Sequence, residues 1–200
     1  MSKQIKSKKR VADFGEVYTA KKQVNAMLDL IPDNMPFDAT YLEPACGNGN
    51  FLIAIMQRKL EMVFALETDV LHNVIRAVSS VYGVDIQADN VTESVERMMN
   101  CINQMYRQHV GFELPSRACK AINNILVLNI ICGDTLTGTK NNGEPLIFCE
   151  WDVQASGYII CKEFKYNDLL TAGGESDNYI EKHRYNWLVE TKQKEERQVA

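Results

Sequence analysis

Hydrophobic residues along the chain fall into two alternating patterns, helical stripes and short unbroken runs. From Thr19, the stretch TAKKQVNAMLDLI sets Val24, Met27, Leu28 and Ile31 at helical spacing. Thr19 stands where an N-cap hydroxyl would sit, and Pro32 is the stop. MPFDATYLEPACGNGNF then reads as loop, short strand and glycine-rich turn, and Phe51 to Leu60 as a helix with its apolar side toward a sheet. A further helix is predicted over Asp69 to Ser80, a buried strand at SVYGVDI, and a long amphipathic helix from about Asp89 to His109. In the last, Val91, Val95, Met98, Ile102 and Met105 form one stripe that suits core packing.

NILVLNIICGD reads as a third apolar strand ending in Gly133-Asp134. Beyond a polar turn at Asn141 to Glu144, PLIFCEWDV and YIICKEFKY read as a hairpin joined by QASG. NDLL opens a short helix, AGGESDN is a loop, and Tyr179 to the end reads as a charged helix. No internal repeat is visible. Strand–helix alternation over the first two thirds argues for an α/β domain with a mainly parallel sheet flanked by helices. The chain divides into a flexible basic arm over 1–13, a core over 14–144, and a hairpin with a charged C-terminal helix over 145–200. That last part belongs to the same domain or forms a small appendage.

Composition narrows the field. At 46% hydrophobic and 24% charged, collagenous, coiled-coil and disordered classes drop out. Net charge −4 excludes a basic protein that coats nucleic acid, though not a local basic patch. That patch would be MSKQIKSKKR, with Lys3, Lys6, Lys8, Lys9 and Arg10 attracting phosphate with the usual salt sensitivity. No apolar run approaches the roughly 20 residues that span a bilayer, and no signal-peptide core is visible, so a cytoplasmic location is expected. The six cysteines are scattered without a C-x-x-C pair and read as reduced, small hydrophobes. His72, His109 and His183 have no partner at zinc-ligand spacing, so no metal is expected.

In an open parallel sheet, ligands bind beyond the carboxyl ends of the strands, and three signals fall at such ends. The first is Glu43-Pro44-Ala45-Cys46-Gly47-Asn48-Gly49-Asn50-Phe51, where Gly47 and Gly49 let backbone press against a ligand and turn sharply into a helix. Asn48 and Asn50 are turn formers first, with no catalytic part. The second is Tyr82-Gly83-Val84-Asp85-Ile86: an ionised acid can accept hydrogen bonds from both hydroxyls of a ribose, and Ile86 can pack on the attached base. The third is Cys132-Gly133-Asp134. Singly, each could be a tight turn, a helix N-cap or a solvated loop.

A dinucleotide fingerprint would need a third glycine where Leu52 stands, with Glu67 or Asp69 as its ribose acid. S-adenosylmethionine has no pyrophosphate and carries a sulfonium and an amine. Glu43 beside the glycine turn suits that cation and would repel a dinucleotide.

FGEVYTAKKQVNAMLDLIP, LEPACGNGNFL, VYGVDIQADNV and ICGDTL, in this order, resemble the N-terminal half of adenine-specific DNA N6-methyltransferases of the restriction-modification and phage type. The resemblance covers about Phe14 to Leu136. It implies a Rossmann-like S-adenosylmethionine-dependent methyltransferase fold. Tyr18 and Thr19 would lie near the donor's methionine end. Glu43, Pro44, Gly47, Gly49, Asn50 and Phe51 would line the pocket. Asp85 would hold the ribose, Ile86 would pack on the adenine, and Asp134 would meet the adenine amino group.

The chain also departs from the family. Ala20 replaces the proline usual after the threonine, and the catalytic Asn/Asp-Pro-Pro-Tyr is missing, for none of the five prolines are adjacent. In that chemistry the adenine amine donates hydrogen bonds to acceptors of the tetrapeptide while its tyrosine stacks on the flipped base. Glu150, Trp151 and Asp152 stand about where it might follow and are the nearest substitutes, although the first arm of the hairpin is the simpler reading. No Pro-Cys dipeptide occurs, so cytosine C5 methylation is out. The expected function is methyl transfer to adenine N6 in DNA. One alternative is a non-catalytic donor-binding subunit or truncated methylase needing a partner chain; another is a methyltransferase acting on RNA, protein or a small molecule. DNA affinity of the isolated chain would be weak and carried by Lys3 to Arg10.

Overall fold

In the computed structural model, which describes residues 5–32, 34–171 and 179–188, two helices precede a strand–helix series. They are α1 (Lys8–Phe14) and α2 (Lys21–Leu28). The series runs β1 (Tyr41–Glu43), α3 (Asn50–Leu66), α4 (Val70–Ser79), β2 (Val81–Asp85), α5 (Ala88–Val110), α6 (Ser116–Asn129) and β3 (Ile130–Cys132). After it come β4 (Ile147–Val153), β5 (Ile159–Lys165), α7 (Tyr166–Thr171) and β6 (Glu181–Tyr185).

The first three strands form a parallel sheet in the order β1-β2-β3, flanked by helices. β2 is central and buried on both faces, as a central parallel strand must be. Val81 joins the large cluster built by α3, α4, α5 and α6, while Tyr82 and Val84 join Leu146, Phe148 and Tyr166 on the opposite side. Between them, Gly83 leaves room for α3: a Cβ there would stand 2.8 Å from Leu52 Cδ1.

The last three strands form an antiparallel sheet in the order β4-β5-β6. The expected hairpin is β4 and β5. The sheet shares the main core, because Ile159 is buried in the large cluster and Trp151, Val153 and Tyr185 pack on it.

Four expectations need correction. The third apolar strand is mostly helix: α6 runs through NNILVLN, and only Ile130–Cys132 is extended. Ala118, Ala121, Ile122, Ile125 and Leu126 bury one face of that helix at helical spacing. The C-terminal helix expected from Tyr179 is, among the described residues, strand β6. β5 has an open edge there, and its free N–H and C=O groups are satisfied by pairing with Glu181–Tyr185. The loop at 172–178 and residues 189–200 lie outside the described residues.

The cap of α2 is Ala20, whose N–H is taken by Gln23 Oε1, and not Thr19. Finally, part of the arm expected to be flexible is the helix α1, capped by Ser7, and two of the arm's basic side chains are held by acids of the fold. Lys6 pairs with Asp89 and Glu93, both at 2.9 Å, and Arg10 pairs with Glu16 and Asp89.

At the amino end of the parallel sheet, Lys59 is buried. Its ammonium donates to Phe37 O at 2.8 Å, Ala39 O at 2.5 Å and Ser80 Oγ at 2.8 Å, tying the entries to β1 and β2 together. Burial lowers its pKa to about 8.

Candidate functional site

Parallel pairing sets the three carboxyl ends side by side, with Glu43 opposite Gly83 and Asp85 opposite Cys132. The loops beyond them are stitched together. Cys46 N donates to Val84 O at 2.8 Å, Gly133 N to Asp85 O at 3.0 Å, and Thr135 Oγ1 to Pro44 O at 3.2 Å. The acids at 43, 85 and 134 therefore surround one edge, with exposed Pro44, Ala45, Ile86 and Leu136 among them.

The three acids are used differently. Asp85 is a joint of the fold: it accepts from Gly47 N at 2.8 Å, Gln87 N at 2.9 Å and Asn90 Nδ2 at 3.1 Å. Asp134 accepts from Leu136 N at 2.8 Å, while its backbone carbonyl takes the N–H groups of Gly138 and Thr139. Glu43 is half-buried and, among the described residues, receives a single long bond, from Ala45 N at 3.4 Å. Burial raises its pKa above the ordinary value, so this carboxylate gains from a nearby cation.

The glycine turn packs against the protein itself. Gly47 and Gly49 have φ of 53° and 87°, and a Cβ on them would meet the Tyr18 ring at 3.2 Å and Ser94 Oγ at 3.0 Å. Close approach is needed here for Tyr18 and for α5. Cys46 within the turn is a buried thiol whose pKa is pushed up to about 12 by burial and by Asp85, which leaves it inert as a nucleophile.

Tyr18, Thr19, Asn50 and Phe51 support the turn. Tyr18 OH donates to Asn90 Oδ1 at 2.9 Å and to Glu16 Oε1 at 3.1 Å, and burial raises its pKa to about 12. Asn50 donates to Thr19 O at 2.9 Å and accepts from Arg97 Nη2 at 2.9 Å. Phe51 packs on the main core.

The residues that hold the turn from α5 went unread in the sequence. Ser94 Oγ donates to Gly47 O at 3.0 Å, Arg97 donates to Asn48 O, and Glu93 accepts from Asn48 Nδ2 at 2.9 Å. Asn48 Oδ1 is buried without a hydrogen-bond partner among the described residues. Asn90 and Ser94, one helical turn apart and almost fully buried, were the available signal.

Glu150, Trp151 and Asp152 are not brought to this edge. Trp151 Nε1 donates to Asn129 Oδ1 at 2.7 Å, and Asn129 immediately precedes β3, at the amino end of the parallel sheet. Glu150 faces Lys162 at 3.6 Å, and Asp152 accepts from Gln154.

Among the described residues, no helix is long and apolar enough to cross a membrane. Comparison with known protein families, curated proteins and solved structures gives no match.

Proposed function

We propose that the chain binds S-adenosylmethionine at the carboxyl edge of its parallel sheet, in a Rossmann-like methyltransferase arrangement, and serves methyl transfer to adenine N6 in DNA. The observation that carries this reading is the convergence of Glu43, Asp85 and Asp134 beside the Gly47–Gly49 turn. The residues present fit the donor. Glu43 is a half-buried carboxylate with almost no partner, suited to a sulfonium or an amine. Asp134 accepts from the N–H of exposed Leu136, and exposed Ile86 stands against Cys132 at the end of the same strand, so an adenine ring could rest here with its amino group toward the acid. Asp85 already accepts three hydrogen bonds, so its principal task is to hold the turn, with at most a share in the ribose.

S-adenosylmethionine supplies an electrophilic methyl group; adenine N6 accepts it and loses a proton, and a neutral thioether remains. This chain's residues would bind and orient, since no Asn/Asp-Pro-Pro-Tyr is available to hold the target base.

A second reading is favoured by β1, which has a neighbour on one side only among the described strands, and by the missing tetrapeptide. The base-holding half would then come from a partner chain. Lys6 and Arg10 being paired with acids adds to this, because two of the basic side chains near the N-terminus are already neutralised within the fold.

Ultraviolet cross-linking of methyl-labelled donor tests the reading. Label in peptides spanning 43–51 or 130–141 is expected, and label elsewhere or nowhere overturns it. A methyl-transfer assay on mixed-sequence DNA, with and without a chain carrying the tetrapeptide, separates the two versions.

A further inference from the structure

The antiparallel sheet assembles a set of soft and borderline ligands that linear spacing hides. Register sets Cys149 opposite Glu163, Cys161 opposite His183, and Glu163 opposite Glu181. Directly paired residues project to the same face, so two cysteines, two glutamates and a histidine from three strands share one surface. Cys149 Sγ, Cys161 Sγ and a Glu163 carboxylate oxygen lie within 4.8 Å of one another, as do ligand atoms of Glu163, Glu181 and His183. Glu163 belongs to both groups, and His183 Nε2 is 3.2 Å from its Oε1.

We propose that Cys149, Cys161, Glu163 and His183 bind one divalent ion of the zinc class, which clasps β6 to the β4–β5 hairpin. Two thiolates, a carboxylate and an imidazole are a donor set that zinc accepts in tetrahedral geometry. With Zn–S bonds of about 2.3 Å, two thiolates on one ion stand about 3.8 Å apart, near their observed spacing, while His183, grouped with Glu163 and not with the cysteines, swings in toward them on binding. A disulfide fits less well. Cys149 and Cys161 are diagonal neighbours, because the residues directly opposite them are Glu163 and Trp151. Diagonal positions in a sheet stand roughly 7 Å apart, against the roughly 3.5–4.5 Å between Cβ atoms that a disulfide needs.

The surroundings suit a structural ion. Both thiols are buried, Glu163 and His183 sit at the rim, and Tyr185 stacks on the imidazole with centroids 5.9 Å apart. Glu181, 3.7 Å from His183 Nε2, stands on the same side of that ring as Glu163 and adds negative charge beside the ion. Binding of the ion by two thiols forms two metal–sulfur bonds and releases two protons to buffer without redox change. Among the described strands β6 pairs with β5 alone, so a clasp across three strands would fix its register. The site stands apart from the strand tips and is independent of the methyl-donor reading.

Titration of the full-length, chelator-stripped and fully reduced chain with Zn2+, then with Co2+, tests the site. One equivalent of Zn2+ is expected to bind and raise the melting temperature. The Co2+ form is expected to show thiolate-to-metal charge transfer and the visible bands of a four-coordinate ion. His183→Ala and Glu163→Gln, at the rim, should weaken binding at least tenfold; Cys161→Ser should reduce the charge-transfer band, and Cys101→Ser should change nothing. Absence of stoichiometric binding, a Co2+ spectrum without thiolate bands, or unchanged affinity in His183→Ala overturns the proposal. So does a Cys149–Cys161 disulfide in the isolated chain that takes up no metal after reduction.

Discussion

The Asp85 carboxylate accepts the Gly47 N–H at 2.8 Å, which fastens the tip of β2 to the turn leaving β1. The same carboxylate takes Gln87 N and Asn90 Nδ2. Asp85→Ala strands these donors and is expected to destabilise the fold by about 2–4 kcal/mol. Asp85→Asn keeps one acceptor and turns a donor toward the others, so it should fall between wild type and alanine. Urea denaturation reads both.

Gly49 combines a left-handed φ with close approach to α5. Gly49→Ala is expected to cost about 1–3 kcal/mol, partly as backbone strain and partly as conflict with Ser94. A double-mutant cycle with Ser94→Gly separates the two, and a coupling of about 0.5 kcal/mol or more marks the steric share.

Much of this region was legible in the sequence and some was not, for identifiable reasons. The strand–turn–helix around Glu43 to Phe51 is local: the glycines, the apolar run after them and the short strand before them lie within one stretch. α5 was readable from its apolar stripe, yet the value of its buried Asn90 and Ser94 depends on what faces them. α6 and β3 were merged because the hydrophobes ILVL and II stand almost without a break, and exposed Val127 and Leu128 mask the helical spacing of the buried Ile122, Ile125 and Leu126. β6 was misread because Glu181–Tyr185 is charged, and what makes it a strand is the edge of β5. The Cys149–Cys161–Glu163–His183 cluster exists only in the cross-strand register.

Acid pH tests the docking of the N-terminal segment. Hydrogen bonds from Arg10, then from Lys6, hold the Asp89 carboxyl well below its usual value of 3.8. A depressed carboxylate stabilises the fold above its unfolded pKa and loses that contribution as pH falls toward the folded value. The melting-temperature difference between wild type and Asp89→Asn should therefore be constant above about pH 5 and shrink steadily below about pH 4. Because Asp89 is half-exposed, the difference should be modest and should diminish with added salt.

Lys59 tests the opposite end of the sheet. Lys59→Met keeps the apolar stem and removes the donors to Phe37 O, Ala39 O and Ser80 Oγ. The expected loss is about 2–4 kcal/mol in chemical denaturation near neutral pH. Its pKa is lowered to about 8, below the usual 10.5, so the unfolded chain holds more protons between those values. Lys59 therefore contributes rising stability from about pH 8 to pH 10.5, a slope that Lys59→Met should lack.

Isothermal titration at roughly 100 µM protein, where binding worth about 5–6 kcal/mol becomes visible, puts the donor site to its most direct test. S-adenosylmethionine and its demethylated product should each give heat with one site per chain. Glu43→Gln and Asp134→Ala should weaken binding at least tenfold while the protein remains folded. No heat with either ligand, or unchanged affinity in both variants, would contradict a methyl-donor site at these strand tips.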